Sequence, residues 1–417
     1  MSKSKISKSV VTFFKMLGPG LVTGASDDDP SGIATYSQAG AQFGYNTLWT
    51  ALVTFPLMAA VQGMCARIGL VTQSGLTVTL RDHYSKPILY VMLLFSLPAI
   101  TFNIGADIQG MGAVAHMMIP QIPIFIFSCL FTGILLVAII IYPYQKIAQI
   151  LKWLCLSLLL YIFVPFMVRQ DWSLVLKSTL IPNIKLDKDF ISILVAILGT
   201  TISPYLFFWQ ATMEAEEVGN LKKKLIVNKN ILKGMTTDIN VGMLLSNVVM
   251  FFIILTAASV LNASGIKQIE TVDQAAKALE PLAGKFATIF FTLGVIGTGL
   301  IAIPVLAGSQ SYMLAETFGW ETGLSKNFSQ ARGFYITIIA SLLVGLSLDF
   351  LGISPIKALY YTAILYGVTA PALIAIIMHI ANNKNIMGRF TNSRLSNILG
   401  VITLIFMTIA AGLLFYL

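Results

Sequence analysis

Residues 27–32 read Asp-Asp-Asp-Pro-Ser-Gly inside an otherwise apolar run that covers residues 17–43. A charged side chain at membrane depth is costly, and such residues persist where they face a cavity or a bound partner. Three carboxylates followed by a helix breaker and two small residues are typical of a membrane helix that unwinds around a cation. The flanking apolar stretches are each too short to span about 30 Å of hydrocarbon but suffice together. We therefore predict a broken transmembrane helix with a cation site at the break; an extramembrane loop between two short helices is the alternative.

A second stretch, residues 199–205, reads Gly-Thr-Thr-Ile-Ser-Pro-Tyr and places small polar residues and a proline in the middle of the apolar segment 190–213. Two broken helices five segments apart imply an inverted repeat, whose halves are related by a pseudo-two-fold axis in the membrane plane. In such folds the substrate lies between the two unwound points. The sequence therefore predicts the site between residues 27–32 and 199–205.

The composition excludes an ordinary soluble globule. Hydrophobic residues make up 56% of the 417, charged residues only 11%, and the mean hydropathy is +0.82, so we predict a polytopic membrane protein that has the lipid bilayer as its surroundings. The net charge of +9 is explained by basic loops, and no basic patch alternates with aromatic residues as a nucleic-acid surface requires. The three cysteines, Cys65, Cys129 and Cys155, show neither disulfide nor zinc-site spacing.

Eleven apolar segments are predicted to be helices, because a backbone in lipid must satisfy its own hydrogen bonds. Their bounds are 17–43 (broken), 47–71, 88–113, 122–142, 147–168, 190–213 (broken), 238–261, 286–306, 334–350, 356–381 and 398–417. The predicted organisation is a single transmembrane domain over residues 1–417. It comprises a tail at 1–16, a first repeat at 17–168, a second repeat at 190–381 and an extra helix at 398–417.

Lysine and arginine are distributed unequally between the two sides of this arrangement. With the N-terminus inside, 19 fall on the inner side and 8 on the outer side, which favours a cytoplasmic N-terminus and an external C-terminus. The strongest marker is the loop after the sixth segment, with Lys222, Lys223, Lys224, Lys229 and Lys233. The N-terminal stretch lacks a small-residue cleavage signature and is not predicted to be a removed signal peptide. We expect the protein in the inner membrane of a bacterial cell.

Several motifs carry a resemblance to a known family. Residues 18–20 (Gly-Pro-Gly), 29–32 (Asp-Pro-Ser-Gly) and 39–45 (Ala-Gly-Ala-Gln-Phe-Gly-Tyr), continuing to Leu48 and Trp49, resemble the Nramp family of divalent metal transporters. The resemblance covers nearly the whole chain. It implies an all-α fold of eleven transmembrane helices, with a LeuT-type repeat of five plus five helices, one extra helix, and unwound first and sixth helices. It also implies a divalent metal ion as transported substrate, with no cofactor.

The family's ligand motifs are only partly present. Its first helix carries Asp-Pro-Gly-Asn, whose Asp and Asn bind the metal; Asp29 matches the Asp, and Gly32 stands in place of the Asn. Its sixth helix carries Met-Pro-His-Asn with a thioether ligand; Ser203 stands in place of the Met, and Thr200 at the position of a carbonyl ligand. Oxygen ligands suit Mg²⁺, Ca²⁺ and Mn²⁺ better than softer metals. The magnesium-transporting branch related to this family also lacks that Met.

The candidate metal site follows from these matches, with Asp29 as the central ligand and backbone carbonyls near Ala25, Ser26 and Thr200 completing an oxygen shell. The candidate metal-binding residues are Asp29, Ser203, Thr200, Ser26, Asp28 and Gly32. An alternative use of Asp27 and Asp28 is to cap the N-terminus of the outer half-helix.

Proton coupling is expected to be weak. Tyr205 and Gln210 stand at positions of family histidines on the sixth helix, and neither titrates near neutral pH. On the third helix Asp107 matches the first acid of the family pair, while Gly110 stands in place of the Glu. Asp107 and Tyr205 are therefore the possible coupling residues, and the expected proton relay is interrupted.

The sequence favours a secondary transporter that moves a divalent metal cation, such as Mg²⁺, Mn²⁺ or Fe²⁺, by alternating access. A transporter of the same fold for a small organic cation or an amino acid is the alternative, because fold does not fix substrate. The chain shows no nucleophile–base pairing, nucleotide-binding loop or soluble catalytic domain, so it is not expected to be an enzyme.

Overall fold

The computed structural model describes residues 18–142, 156–219 and 227–417, and these residues contain helices but no β-strand. The first half contains α1 (Pro19–Asp27), α2 (Pro30–Phe43), α3 (Trp49–Thr72), α4 (Leu76–His83), α5 (Lys86–Met118), α6 (Ile124–Ile141), α7 (Leu160–Met167) and α8 (Trp172–Leu180). The second half contains α9 (Lys188–Thr201), α10 (Pro204–Gly219), α11 (Lys229–Ala257), α12 (Val272–Ala276), α13 (Glu280–Ala283), α14 (Ala287–Phe318), α15 (Arg332–Ser347), α16 (Pro355–Asn382), α17 (Lys384–Met387) and α18 (Arg394–Tyr416).

Nine spans in the described residues are long and apolar enough to cross a membrane. They are α3, α5, α6, α9 together with α10, α11, α14, α15, α16 and α18. The first predicted segment is present as α1 and α2, each shorter than a full span. The fifth, 147–168, contributes the 3₁₀ turn Leu156–Leu159 and α7, while its residues 147–155 lie outside the described part of the chain. The predicted polytopic helical class is confirmed.

The first break comes from the local sequence. α1 ends at Asp27, and α2 begins at Pro30, whose missing N–H would in any case have no partner at the first position of a helix. Asp29 is the N-cap of α2, and its carboxylate accepts a hydrogen bond from the backbone N–H of Gly32. The alternative in which Asp27 or Asp28 caps the outer half-helix is therefore wrong: Asp28 stands at the end of α1, and Asp29 does the capping.

The sixth segment is broken in the same way. α9 ends at Thr201, the backbone leaves the helical conformation at Ile202, and α10 starts at Pro204. In both broken helices a proline is the first residue of the second half, so the same chemistry produces both breaks. The prediction of two unwound helices is confirmed.

Hydropathy did not predict several helices that are too short or too polar to span the membrane. α4 follows the second span and contains two threonines and three charged or titratable residues among its eight, so its sequence is too polar to resemble a span. α8 follows the fifth segment; the side chain of Asp171 caps it by accepting from the N–H groups of Ser173 and Leu174. The short α12, α13 and α17 lie in connections and were also not predicted.

The broken sixth helix lies at the centre of the bundle. In the most apolar window of α9 and α10, 94% of the residues are buried, against 33% in α6 and 28% in α18. α6 and α18 expose large apolar side chains, including Ile126, Leu130, Ile402 and Ile405, as expected of helices that face lipid. The polar breaks are therefore enclosed by protein.

Small residues allow α1 to pack closely on α11. A Cβ atom on Gly24 would lie 2.3 Å from the carbonyl oxygen of Gly242, and one on Gly242 would lie 2.2 Å from the carbonyl oxygen of Gly20. Separations this short are incompatible with any side chain at these positions, so glycine is required where the two backbones meet. This contact fixes the height of α1, and with it the first break, relative to α11.

Candidate functional site

Asp29 is the most highly coordinated carboxylate of the first break. Its Oδ1 accepts from the Ser31 hydroxyl at 2.7 Å and from the Gly32 N–H at 2.8 Å. Its Oδ2 accepts from Asn103 Nδ2, on α5, at 3.0 Å. The side chain is buried. These hydrogen bonds fix the orientation of the carboxylate, with Oδ2 towards α5.

Asp27 and Asp28 face a different neighbour from Asp29. The hydroxyl of Ser246, on α11, lies 2.7 Å from Asp27 Oδ2 and 3.3 Å from Asp28 Oδ1. Both carboxylates are buried, and Asp27 Oδ1 has no hydrogen-bond partner among the residues that the structure describes. The sequence-adjacent triplet is thus divided in space: one carboxylate faces α5 and two share a hydroxyl of α11. No group of three His, Cys, Asp or Glu side chains suited to a metal ion occurs among the described residues.

The second break places its polar residues against the first. A Cβ added to Gly32 would lie 3.3 Å from Thr200 Oγ1 and 3.4 Å from the carbonyl oxygen of Asp27. The Tyr36 hydroxyl, one turn into α2, lies 3.4 Å from Thr201 Oγ1. The structure therefore brings the two predicted breaks together, with no side chain at position 32 between them.

Ser203 lies in the unwound part of the sixth helix and is buried. Its hydroxyl lies 2.6 Å from the carbonyl oxygen of Thr200 and 3.1 Å from that of Gly199, so its proton is directed into its own helix. A hydroxyl that donates to a carbonyl keeps its lone pairs free to accept a proton or a cation. The oxygen of Ser203 is thus oriented so that it can act as a ligand.

The two breaks are also joined by Tyr205. Its hydroxyl donates to the carbonyl oxygen of Ser26 at 2.8 Å, while the hydroxyl of Ser26 donates to its own helix at the carbonyl of Val22. Both residues are buried. One of the backbone carbonyls expected in the oxygen shell is therefore engaged by a phenol in this arrangement of the chain.

Asp107 lies beside Asp29, linked through a shared amide. Asn103 Nδ2 donates to Asp29 Oδ2 at 3.0 Å and lies 3.5 Å from Asp107 Oδ2. Asp107 is fully buried, and in the described part of the chain its Oδ1 has no hydrogen-bond partner. Three residues further along α5, a Cβ on Gly110 would lie 3.1 Å from a methyl group of Leu359. Apolar packing therefore fills the place where a second acid would stand.

Two residues that orient the predicted site were not predicted. Asn103 stands one helical turn before Asp107, so the spacing i, i+4 could have indicated it. Ser246 lies 219 positions from Asp27 in an apolar helix, and nothing in its local sequence distinguishes it from other buried serines. The site of Asp29, Ser203, Thr200, Ser26, Asp28 and Gly32 remains a prediction, with an oxygen-rich composition that suits hard cations.

A family model described as "Natural resistance-associated macrophage protein-like" matches residues 20–417 of the chain. The chain belongs to the Nramp family. The predicted resemblance is therefore confirmed over nearly the full length of this Nramp protein.

Relatives of this Nramp protein carry a common name. It is 28% identical over 411 residues to the divalent metal cation transporter MntH of Caldanaerobacter subterraneus subsp. tengcongensis, an alignment that covers 97% of this chain and 93% of the relative. It is 25% identical over 401 residues to MntH of Clostridium acetobutylicum, covering 96% and 90%. Both alignments extend over the site and the bundle together.

Solved structures support the fold of this Nramp protein. The manganese transporter of Eremococcus coleocola superimposes with a TM-score of 0.75 at 16% identity, covering 99% of this chain and 87% of the other. Mhp1, a nucleobase-cation-symport-1 family transporter, superimposes in its closed conformation with a TM-score of 0.58 at 11% identity, covering 96% and 92%. The predicted inverted-repeat fold class is confirmed by these two likenesses.

Proposed function

We propose that this protein is a secondary transporter of a divalent metal cation, with Asp29 as the central side-chain ligand between the two helix breaks. The observation that carries the proposal is the juxtaposition of the breaks: Gly32 lies against Thr200, and Tyr205 reaches the Ser26 carbonyl. Membership of the Nramp family and the MntH relatives support it. We infer no catalytic activity and no cofactor.

The ligand chemistry favours a hard cation. Asp29 supplies one carboxylate and Ser203 a hydroxyl. The unwound backbone supplies the carbonyl oxygens of Ala25, Ser26 and Thr200. The Asp28 carboxylate instead lies 3.3 Å from the hydroxyl of Ser246. Oxygen ligands of this kind suit Mg²⁺, Ca²⁺ and Mn²⁺. Binding of the cation at Ser26 requires the Tyr205 hydroxyl to move away or to share that carbonyl.

A polar route leads from the middle of α1 to a cavity at its N-terminal end. The Thr23 hydroxyl donates to Gln210 Oε1 at 2.6 Å, and Gln210 Nε2 donates to Glu214 Oε1 at 3.0 Å. The cavity has a volume of about 250 Å³ and is lined by three carboxylates, those of Glu214, Glu217 and Asp238. An acidic vestibule raises the local concentration of cations, so we assign this route to passage of the metal between the site and this end of α1.

Asp238 of α11 caps the N-terminal end of α1. Its carboxylate accepts from the backbone N–H groups of Gly18 at 2.8 Å, Gly20 at 2.6 Å and Leu21 at 3.3 Å. A carboxylate at a helix N-terminus satisfies unpaired amides and complements the helix dipole. In our proposal, alternating access opens this route by separating α1 from this cap.

We propose that the N-terminus is cytoplasmic and the C-terminus external, in the inner membrane of a bacterial cell. The support is the excess of lysine and arginine on the predicted inner side, 19 against 8. The acidic vestibule then faces the cytoplasm, since α1 runs outward from its N-terminal end.

The test is uptake of radioactive Mn²⁺ into proteoliposomes that contain the purified protein, with Mg²⁺, Ca²⁺ and a panel of amino acids as competitors. We expect saturable Mn²⁺ uptake that Mg²⁺ or Ca²⁺ inhibits and amino acids do not. Accumulation of an amino acid or an organic cation without metal uptake would overturn the assignment in favour of the alternative substrate class.

A further inference from the structure

A second cavity lies far from the helix breaks, where three helices begin or end at the same face of the bundle. Its volume is about 520 Å³, within the range of ligand-binding pockets. Its lining comprises Arg67, Asn228, Lys229, Leu232, Thr236, Arg389, Phe390, Thr391 and Ser393. Arg67 belongs to the last turns of α3, Lys229 begins α11, and Ser393 is the N-cap of α18.

The cations of this cavity have no carboxylate partner. Arg67, Lys229 and Arg389 line it without any acidic residue, and none of them forms an ion pair. All 18 aspartate and glutamate side chains of the protein lie in the described residues, so no undescribed segment supplies one. The only hydrogen bond of the half-buried Arg67 guanidinium in the described residues goes to the neutral Asn392 Oδ1, at 2.8 Å. Three positive charges are therefore gathered with no counter-charge from the protein.

Two long helices add to this positive potential. The cavity is lined by Asn228 and Ser393, the N-cap residues of α11 and α18, and the N-terminus of a helix attracts anions. The hydroxyl groups of Thr391 and Ser393 stand among the cations as neutral donors, whereas that of Thr236 donates to the carbonyl of Leu232. Guanidinium, ammonium and hydroxyl groups together are the donors that recognise a phosphate group.

The depth of the cavity indicates where such a group comes from. It lies where the candidate spans α3, α11 and α18 end or begin, and the ends of a membrane span lie close to the lipid headgroups. Leu232 and Phe390 add apolar surface beside the charges. Basic pockets between transmembrane helices at this level are suited to anionic headgroups.

We propose that this basic cavity, bounded by Arg67, Lys229 and Arg389, binds a phosphate ester, and that the headgroup of an anionic phospholipid is its source. The headgroup phosphate contacts Arg67 and Arg389, with Lys229 and the two helix N-termini around it. The bound lipid joins the end of α3 to the beginnings of α11 and α18. This role is separate from the metal site and does not depend on the identity of the transported ion.

The test is native mass spectrometry of the purified full-length protein in detergent, titrated with phosphatidylglycerol or with phosphatidylcholine of matched chain length. We expect a tightly retained phosphatidylglycerol in the wild type. The double variant Arg67→Gln/Arg389→Gln should bind it about thirtyfold more weakly, since two cations near the headgroup are lost. Lys384→Gln, which removes one charge from the same face outside the cavity, should bind as the wild type does.

A second arm separates the two sources of phosphate. Glycerol 3-phosphate or inorganic phosphate is added to delipidated protein, and thermal unfolding is followed. Stabilisation by phosphatidylglycerol alone supports the headgroup, whereas equal stabilisation by the soluble ions overturns the lipid source. If the double variant fails to fold, Lys229→Gln provides the same readout at an exposed position. Equal phosphatidylglycerol affinity in the wild type and the cavity variants overturns the site itself.

Discussion

The hydroxyl of Tyr205 donates a hydrogen bond of 2.8 Å to the carbonyl oxygen of Ser26. This contact connects the second half of the sixth helix to the end of the first half of the first helix, across the proposed cation site. The phenol satisfies a carbonyl that would otherwise be buried and unpaired. A cation bound at this oxygen, as we propose, would compete with the Tyr205 hydroxyl.

Tyr205→Phe should test whether the Ser26 carbonyl, which accepts from the phenol, also binds the metal. We expect the metal-free variant to be less stable by about 1–3 kcal/mol, since a buried acceptor loses its donor, and its melting temperature to rise more on addition of Mn²⁺ than that of the wild type. Tyr366→Phe is the matched control, because the Tyr366 ring packs 5.8 Å from that of Tyr205 and its hydroxyl has no partner. Equal metal-induced shifts in the two variants and the wild type would show that Ser26 does not contact the ion.

Asp29→Asn should abolish metal uptake while leaving the helix break intact. Asparagine is as good an N-cap as aspartate, so α2 should still begin at Pro30, and only the charge is lost. Uptake in proteoliposomes is the measurement. Asp187→Asn makes the same change at the cap of α9, outside the site, where the carboxylate accepts from the Phe190 N–H, and should transport normally. A well-folded Asp29→Asn variant with normal uptake would contradict the assignment.

The breaks and the carboxylate at the first of them could be predicted because their causes are local. Pro30 and Pro204 fix the start of each second half-helix wherever the chain packs. The division of the aspartate triplet could not be predicted, because it depends on Ser246, which folding brings to Asp27 from 219 positions away. For the same reason the alternative in which Asp27 or Asp28 caps α2 is wrong: the end of α1 at Asp27 depends on its packing against α11.

The ends of the helices also depend on contacts between residues distant in sequence and could not be predicted. Hydropathy located the apolar cores of the spans, but α14 continues to Phe318 and α11 begins at Lys229, both beyond the predicted bounds. The extension of α14 contains polar residues that are buried by neighbouring helices, such as Gln310 and Glu316. A scale that judges each residue by its transfer into lipid cannot recognise polar residues that protein contacts bury.

Ser203→Met should shift selectivity towards softer metals. The thioether is a softer ligand than the hydroxyl, so we expect Cd²⁺ and Mn²⁺ to compete better against Mg²⁺ and Ca²⁺ than in the wild type. Ser203→Ala is the control, since it removes the hydroxyl without adding sulfur and should weaken binding of all these ions. The competition profile of radiotracer uptake is the readout. A profile that is the same in all three proteins would show that Ser203 does not face the ion.

Asp238→Ala should release the N-terminal end of α1. The three N–H groups of Gly18, Gly20 and Leu21 lose their acceptor, a change that costs about 1–2 kcal/mol for a helix cap. We expect faster hydrogen–deuterium exchange in α1 and unchanged exchange in α2. Asp171→Ala removes the cap of α8 instead and should leave α1 unaffected. Unchanged exchange of α1 in Asp238→Ala would rule out the cap as a closing contact.

Metal uptake should be driven weakly, or not at all, by a proton gradient. A relay needs groups that exchange protons in sequence. Asp107 and Asp29 share the amide of Asn103, which does not relay protons, and Gly110, one turn further along α5, packs against Leu359. Internal pH, measured in liposomes at clamped membrane potential during Mn²⁺ uptake, should therefore change little. Acidification that scales with metal flux and disappears in Asp107→Asn would refute this expectation.

A gain-of-function variant also tests whether the missing acid at position 110 interrupts the proton relay. Gly110→Glu restores an acid one turn from Asp107, and Leu359→Ala removes the methyl group that a Cβ at position 110 would approach to 3.1 Å. We expect the double variant Gly110→Glu/Leu359→Ala to acidify the liposome interior in proportion to Mn²⁺ uptake. Leu359→Ala alone creates the space without the acid and should remain uncoupled. Since the two variants differ by a single carboxyl group, proton movement seen only in the double variant is assigned to that group.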